Sequence, residues 1–449
     1  MKDENSNARP LAVPAHRLTR LGKLSGMTAG IAGNMALNGI ARLGQGERPK
    51  MRDLLLTPAN ISRVAEQLAQ MRGAAMKMGQ LMSMDTGDVL PPELSQIMAR
   101  LRNDTHFMPP QQLKQVLNAQ WPAGWLKDFK SFDVRPIAAA SIGQVHRAHL
   151  KDGRDLAIKV QYPGVARSID SDVANVGALM RMSGLLPKGF DLAPYLEEAR
   201  KQLHEETDYA REGAQLDRFA ALIAHRPEFL VPTRHADWST RDILAMTYVN
   251  GTPIEETTNL PQATRDKIAA QLIDLTLDEL FVYGMMQTDP NFANYLYNAD
   301  SGQIVLLDFG AARDIAPEIA ENYRDLIRAA LANDTGAIKQ AACALGFFEE
   351  TTKAIFVDQI TEMIGLVFET LRGMRPYDFG DNSLSVEMQA KGMALAESGF
   401  VPPPLPIDIL LLQRKLGGVF LLAKRLGARV DAIGHLEKHL HPQALPRTA

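Results

Sequence analysis

Residues 136–160, PIAAASIGQVHRAHLKDGRDLAIKV, place two runs of β-type residues on either side of a turn at Lys151-Asp152-Gly153-Arg154. The second run ends in Ala157-Ile158-Lys159-Val160, close to the V-A-I-K strand whose lysine holds nucleotide phosphates. A loop that covers phosphates normally reads G-x-G-x-x-G, because missing Cβ atoms let backbone N–H groups close over the anion. Here those positions are Ala138, Ala139, Ala140 and Ser141, with one glycine at Gly143. The methyl groups restrict φ, so the hairpin predicts a cover that holds phosphates differently and less tightly. The competing expectation is that the alanines pack a short helical turn against a neighbouring segment.

Two further elements carry matching chemistry. Asp289 and Asn294, in QTDPNFANYLY, have the D-x-x-x-x-N spacing of a phosphoryl-transfer catalytic loop, and Asp308-Phe309-Gly310 ends the hairpin that follows. Asn294 and Asp308 offer oxygen ligands suited to Mg²⁺, and Asp289 would face an attacking hydroxyl. Each match alone is weak; three in order, each on the right local element, make a strong signal.

The composition admits this reading. The chain has 449 residues, 46% hydrophobic and 22% charged, enough for a large globular core. A net charge of −3 gives no electrostatic reason to expect nucleic acid as a partner. The single cysteine, Cys343, excludes an intramolecular disulfide framework, and the ten histidines show no metal-ligand spacing. Leu24–Ile40 is uncharged but short and polar for a membrane span. Within it and just before it, Gly22, Gly26 and Gly30 form two G-x-x-x-G steps, which read equally as a packing face for a membrane or homodimer helix and as a flexible leader.

A helix is expected from Thr57-Pro58, with Ile61, Val64, Leu68, Met71, Ala75, Met78 and Met82 on one stripe. Lys77 and Gln80 share a face off that stripe, which on pattern alone reads as solvated. Further helices are expected near 93–102 and 110–119. One helical tract is expected from about Pro194 to Ala224, with Glu206 on its apolar stripe and Glu205, Asp208 and Glu212 on the other side. Arg241–Val249 reads as a strand, and Gln262–Tyr283 as a helix stopped by Gly284. ANYLY and QIVLLDF read as strands joined by a turn over residues 298–302, and the chain after Pro317 as mainly helical. Ala316-Pro317-Glu318 starts only six residues after Gly310, too close for a peptide-presenting segment, so its match to the A-P-E motif of protein kinases reads as coincidence. The catalytic loop also begins Gln287-Thr288-Asp289 where protein kinases have His-Arg-Asp.

Over roughly residues 20–440 the chain resembles the UbiB family of atypical kinases, also called aarF-domain-containing kinases. The motifs carrying the resemblance are Lys77-Met78-Gly79-Gln80 (K-x-G-Q), the alanine loop, Lys159 in LAIKVQYPGV, Glu206-Thr207-Asp208 (E-x-D), MQTDPNFANYLY and LLDFGA. The resemblance implies an α+β, protein-kinase-like two-lobed fold with an N-terminal helical extension and a mainly helical C-lobe. The corresponding boundaries are a tail and glycine-rich segment over 1–50, the extension over 51–125, and lobes over 126–250 and 251–449. It implies ATP and Mg²⁺ as cofactors, with Ala138, Ala139, Ala140, Ser141, Lys159, Met246 and Tyr248 beside the nucleotide. It assigns Glu212 to an ion pair with Lys159, whereas the stripe leaves Glu206 as competitor. It places Lys77 and Gln80 inward over the cleft, met by Glu206 and Asp208 in a regulatory role. An ideal helix separates Glu206 and Asp208 by about 200°, so both reach one site only if that helix is distorted or sandwiched.

The implied activity is that of a kinase or ATPase supporting ubiquinone biosynthesis near membrane lipids. The implied partners are a prenylated phenol or lipid, an anionic membrane surface and ubiquinone-biosynthesis proteins. A nucleotide-gated scaffold with little turnover and a soluble phosphotransferase similar to choline or aminoglycoside kinases are the alternatives. The intact Asp289, Asn294 and Asp308 speak against the first, and the K-x-G-Q helix and alanine loop against the second. With no Arg-rich leader and no hydrophobic C-terminal anchor after Pro404, the expected compartment is the bacterial cytoplasm, peripheral to the inner membrane, with the mitochondrial matrix as the alternative.

Overall fold

The computed structural model describes residues 71, 73–75, 77, 78, 107–140, 142–183, 192–403 and 405–440. Gly22, Gly26 and Gly30, most of the helix expected from Thr57, the helix expected near 93–102, and the site candidates Gln80 and Ser141 lie outside them.

From residue 110 onward the elements are, in chain order, α1 (Pro110–Gln120), β1 (Phe129–Phe132), β2 (Ala138–Ala139), β3 (Gly143–Leu150), β4 (Asp155–Gln161) and α2 (Val165–Ser183). Then come α3 (Ala193–Glu206), α4 (Tyr209–Leu222), β5 (Phe229–Leu230), β6 (Ile243–Thr247) and β7 (Thr252–Pro253). The helix α5 (Gln262–Asp278) runs on through a π turn, Glu279–Tyr283, and stops at Gly284, whose φ of +58° suits a residue without Cβ. Four short strands follow: β8 (Met285–Gln287), β9 (Tyr295–Asn298), β10 (Gln303–Leu306) and β11 (Ala312–Asp314). The rest is α6 (Pro317–Ala332), α7 (Thr335–Ala344), α8 (Ala354–Gly373), β12 (Tyr377–Asp378), α9 (Ser383–Glu397), α10 (Ile407–Leu426), β13 (Arg429–Val430) and α11 (Ala432–Lys438). Ala316-Pro317-Glu318 is thus a helix start, with Pro317 at the first helical position and Glu318 in the first turn.

The chain divides into two compact units, Met1–Ala214 with Thr233–Tyr248, and Gln215–Pro232 with Val249–Ala449. Residues 215–232, expected in the first lobe, fall in the second unit. The physical reason is backbone pairing: β5 runs parallel to β10, with Ile304 opposite Phe229 and Val305 opposite Leu230.

In the first unit an antiparallel sheet has the order β1-β3-β4-β6, with β2 paired to β3. Side chains alternate along β4. Leu156, Ile158 and Val160 enter a core with Leu113 and Leu117 of α1, while Ala157, Lys159 and Gln161 share the opposite face. Trp121, Trp125 and Trp238, all the tryptophans of the chain, pack with Phe129 and Phe132 at centroid separations of 4.7–6.4 Å. The helix expected over 194–224 is two helices, broken at Thr207-Asp208. Gln161 Nε2 donates to the Thr207 carbonyl (2.8 Å), and the Arg241 carbonyl accepts from Tyr209 N (3.0 Å), so sheet contacts replace helix bonds there. Asp208 restarts the helix by accepting from Arg211 N (3.0 Å).

In the second unit the sheet order is β5-β10-β9-β7, and β8 pairs with β11. The expected hairpin is β9–β10, with the turn over residues 298–302. Leu280, Met286, Leu326, Ala330, Ile338 and Leu412 meet in one buried cluster, which sets the helices around the strand-and-loop segment 285–314.

Candidate functional site

The first unit holds the lysine centre. Lys159 Nζ lies 2.7 and 2.9 Å from the two carboxylate oxygens of Glu212, and Lys159 and Glu212 are 8% and 2% exposed. The restart of the helix at Asp208 puts Glu212 in the first turn of α4, with its N–H bonded to the Asp208 carbonyl (3.0 Å). Glu206, the competitor on the stripe, pairs instead with Lys77, which is buried. Lys77 therefore faces inward, against the solvated face that its helical pattern suggests. Its neighbours Met71, Ala75 and Met78 are buried as the stripe predicts. The break at Thr207 removes the 200° difficulty between Glu206 and Asp208: the first ends α3 and the second caps α4.

The alanine loop is a hairpin rather than a helical turn. Ala138 pairs with Val145 and Ala139 with Gln144, Ala140 N donates to the Gly143 carbonyl (2.9 Å), and Ala138 and Ala139 are exposed. The lone glycine has a packing cause. A Cβ at Gly143 would stand 2.4 Å from the Val160 carbonyl oxygen and 2.9 Å from the Tyr209 hydroxyl. Register puts Ala138, Val145, Lys159 and Leu244 on one face, and Ala157 and Met246, also paired, on that same face. Met246 is buried, and Tyr248 stacks under the Arg147 guanidinium at 3.9 Å. Val145, Ala157 and Gln161 were not singled out by motif; their period-two spacing to Lys159 was the available signal.

The second unit holds the oxygen centre. Asn294 Nδ2 donates to Asp289 Oδ2 (3.2 Å), which directs its side-chain oxygen away from that carboxylate. Arg414, on α10, donates to Asp289 Oδ1 at 2.9 Å. Asp308 Oδ1 accepts from Gly310 N (2.9 Å), bending the chain over this short turn, and Phe309 is buried against Phe219 at 5.0 Å. The Leu307 N–H bonds the Asn294 carbonyl (3.0 Å), and Thr288 Oγ1 the Ala311 carbonyl (2.8 Å), so the two motif segments are tied together. Arg414 lies 125 residues from Asp289 and carries no local signal; in QRKLGG it reads as an ordinary solvated helix cation. Among the described residues no three His, Cys, Asp or Glu side chains gather to hold a metal by themselves. Two oxygen donors from Asn294 and Asp308 fit Mg²⁺ nonetheless, because that ion takes one or two protein ligands and completes its shell with phosphates and water.

Residues 100–342, more than half of the chain, match the family model described as the ABC1 atypical kinase-like domain. The mitochondrial atypical kinase COQ8 of Saccharomyces cerevisiae is 36% identical over 431 residues, covering 96% of this chain and 86% of that protein. The mitochondrial atypical kinase COQ8B of Danio rerio is 35% identical over 433 residues, covering 95% and 68%. The fold is similar to that of Rv3197 from Mycobacterium tuberculosis, solved with erythromycin, at a TM-score of 0.59 and 24% identity over 84% of this chain and 94% of that one. The fold is kinase-like, and the chain belongs to the ABC1 atypical kinase family, the UbiB or aarF-domain-containing kinases.

Proposed function

We propose that this atypical kinase binds Mg-ATP and transfers its terminal phosphoryl group to a small or lipid-like hydroxyl, or to water, in support of prenylated-quinone biosynthesis. The observation that carries the reading is the buried Lys159–Glu212 pair at 2.7 and 2.9 Å. A buried cation paired with a carboxylate is a fixed positive point for the α/β-phosphates. Bound Mg²⁺ would neutralise charge on the phosphates, and Asn294 and Asp308 are the residues that would hold it. Asp289, held between Asn294 and Arg414, is set to accept the proton of the attacking hydroxyl. Buried Lys77 and half-buried Glu206 form a pair of their own, so the K-x-G-Q and E-x-D motifs act on each other. We assign them a regulatory role in restricting access to peptide substrates.

Among the described residues no helix is long and apolar enough to cross a membrane. Action on prenylated phenols or lipids is therefore proposed from the family resemblance. The mitochondrial location of the two related kinases favours the mitochondrial matrix over the bacterial cytoplasm.

The test is Mg-ATP binding and turnover by wild type and Asp308→Asn, with and without anionic liposomes and prenylated phenols. Loss of Mg-dependent binding or turnover in a folded variant is expected. Wild-type affinity and turnover in Asp308→Asn would overturn the assignment.

A further inference from the structure

The catalytic loop is gripped at both ends by one ammonium group that no motif announces. Lys415 Nζ, on α10, lies 2.9 Å from the Tyr295 hydroxyl, 3.3 Å from Gln287 Oε1 and 3.3 Å from Glu279 Oε2. The ammonium donates to two acceptors, Gln287 and Tyr295, and has the Glu279 carboxylate at ion-pair distance. Gln287 stands two residues before Asp289, and Tyr295 directly follows Asn294. The group therefore bridges the segments that enter and leave the loop, while Glu279, in the π turn of the preceding helix, supplies the balancing charge.

Two neighbours on α10 serve the same segment. Arg414 pairs with Asp289, and the backbone at Gly418 lies against Pro290, where an added Cβ would stand 2.2 Å from the proline Cβ. At about 100° per residue, positions 414, 415 and 418 fall within about 100° of one another, so one helix face is given over to the loop. Stability does not explain this chemistry. The same helix buries Leu411, Leu412, Val419 and Leu422, and replacing a buried ion pair by apolar groups of similar size is often neutral or stabilising.

We propose that Lys415 is a positioning residue, which fixes the distance between Asp289 and Asn294 by holding Gln287 and Tyr295 on one ammonium. It touches neither substrate nor metal in this account. Its effect on turnover rests on the reading of Asp289 and Asn294 given above, but its effect on the loop does not.

The experiment uses Lys415→Met/Glu279→Gln, which leaves no buried charge unpaired, and Tyr295→Phe, which removes one acceptor with almost no change of volume. Hydrogen exchange of the amides in 288–295 is followed without nucleotide, and kcat and KM for Mg-ATP are measured on the same preparations. The double variant is expected to melt close to wild type and to exchange about tenfold faster in this loop alone. It should keep KM within about threefold and lose about 10–100-fold in kcat, as for misplaced catalytic groups. Tyr295→Phe should show the same pattern more weakly. Wild-type exchange in both variants would overturn the clamp. If wild-type protein turned over no ATP, the functional reading would fail while the exchange comparison still decided the clamp.

Discussion

Among the described residues, two lysine–glutamate pairs have both partners buried, one in each compact unit, and they are built differently. Lys159 directs its ammonium to both oxygens of Glu212, on a sheet face that also carries small residues such as Ala138 and Ala157. Lys415 divides its ammonium among a carboxylate, an amide oxygen and a phenol, and Lys415 and Glu279 are each only 1% exposed. Burial alone would lower the Lys415 pKa, but Glu279 and Tyr295 outweigh it and the ammonium stays charged. Burial in turn raises the Glu279 pKa against the pull of Lys415. An ammonium on a sheet face beside small side chains can turn to a phosphate; one enclosed in a helical core by a carboxylate, an amide oxygen and a phenol can only hold its neighbours in place. Burial of a cation does not reveal its role. Its surroundings do.

The largest effect expected is on stability. Lys415→Met alone strands Glu279 and should cost about 3–5 kcal/mol in urea unfolding followed by circular dichroism, most of it recovered by adding Glu279→Gln. A cost near zero would show that Glu279 readily finds another partner and would dissolve the comparison. Gly143→Ala should cost about 1–3 kcal/mol, since a Cβ 2.4 Å from a backbone oxygen forces the hairpin to shift. Tryptophan fluorescence reads it out, because all three tryptophans lie in the first unit's aromatic cluster. A tolerated alanine would mean that the lone glycine has a task other than close packing.

The second unit carries a pH signature at His439. Burial lowers the His439 pKa, but its bond to Asp278 (2.8 Å) and the carboxylate charges raise it more, so the folded value lies above the ordinary 6.5. A raised folded pKa gives stability that is complete below 6.5 and is lost as pH rises through the folded value. His439→Gln should flatten stability against pH in that window, and an unchanged slope would assign the titration elsewhere. The smallest effect belongs to Ala140→Gly. In a half-exposed hairpin position it should change stability by less than about 0.5 kcal/mol while altering nucleotide affinity and raising self-phosphorylation. A melting shift with no change in nucleotide binding would mean that the alanines do not restrain ATP.

Much of this architecture is local and was legible. The β3–β4 hairpin follows from alternation and the turn around Gly153, the β9–β10 hairpin from its turn, and the stop at Gly284 from its backbone freedom. Lys159, Asp289, Asn294 and Asp308 stood out because spacing and local element agreed. What stayed hidden is tertiary. The break at Thr207 depends on Gln161, 46 residues away, although Asp208 as a helix cap was a readable hint. The partner of Glu206 was masked because Lys77 lies off an apolar stripe and reads as solvated. Arg414 and Lys415 contact residues at least 120 positions earlier, and nothing in RKLGG says which way the two cations point.

The central claim, that one buried pair serves the nucleotide and the other serves the loop, is tested most directly by Mg-ATP titration calorimetry on two charge-neutral double variants. Lys159→Met/Glu212→Gln should abolish saturable Mg-ATP binding, and Lys415→Met/Glu279→Gln should bind within about threefold of wild type, a difference below about 1 kcal/mol. Equal losses in both variants, or wild-type binding without Lys159, would contradict the account.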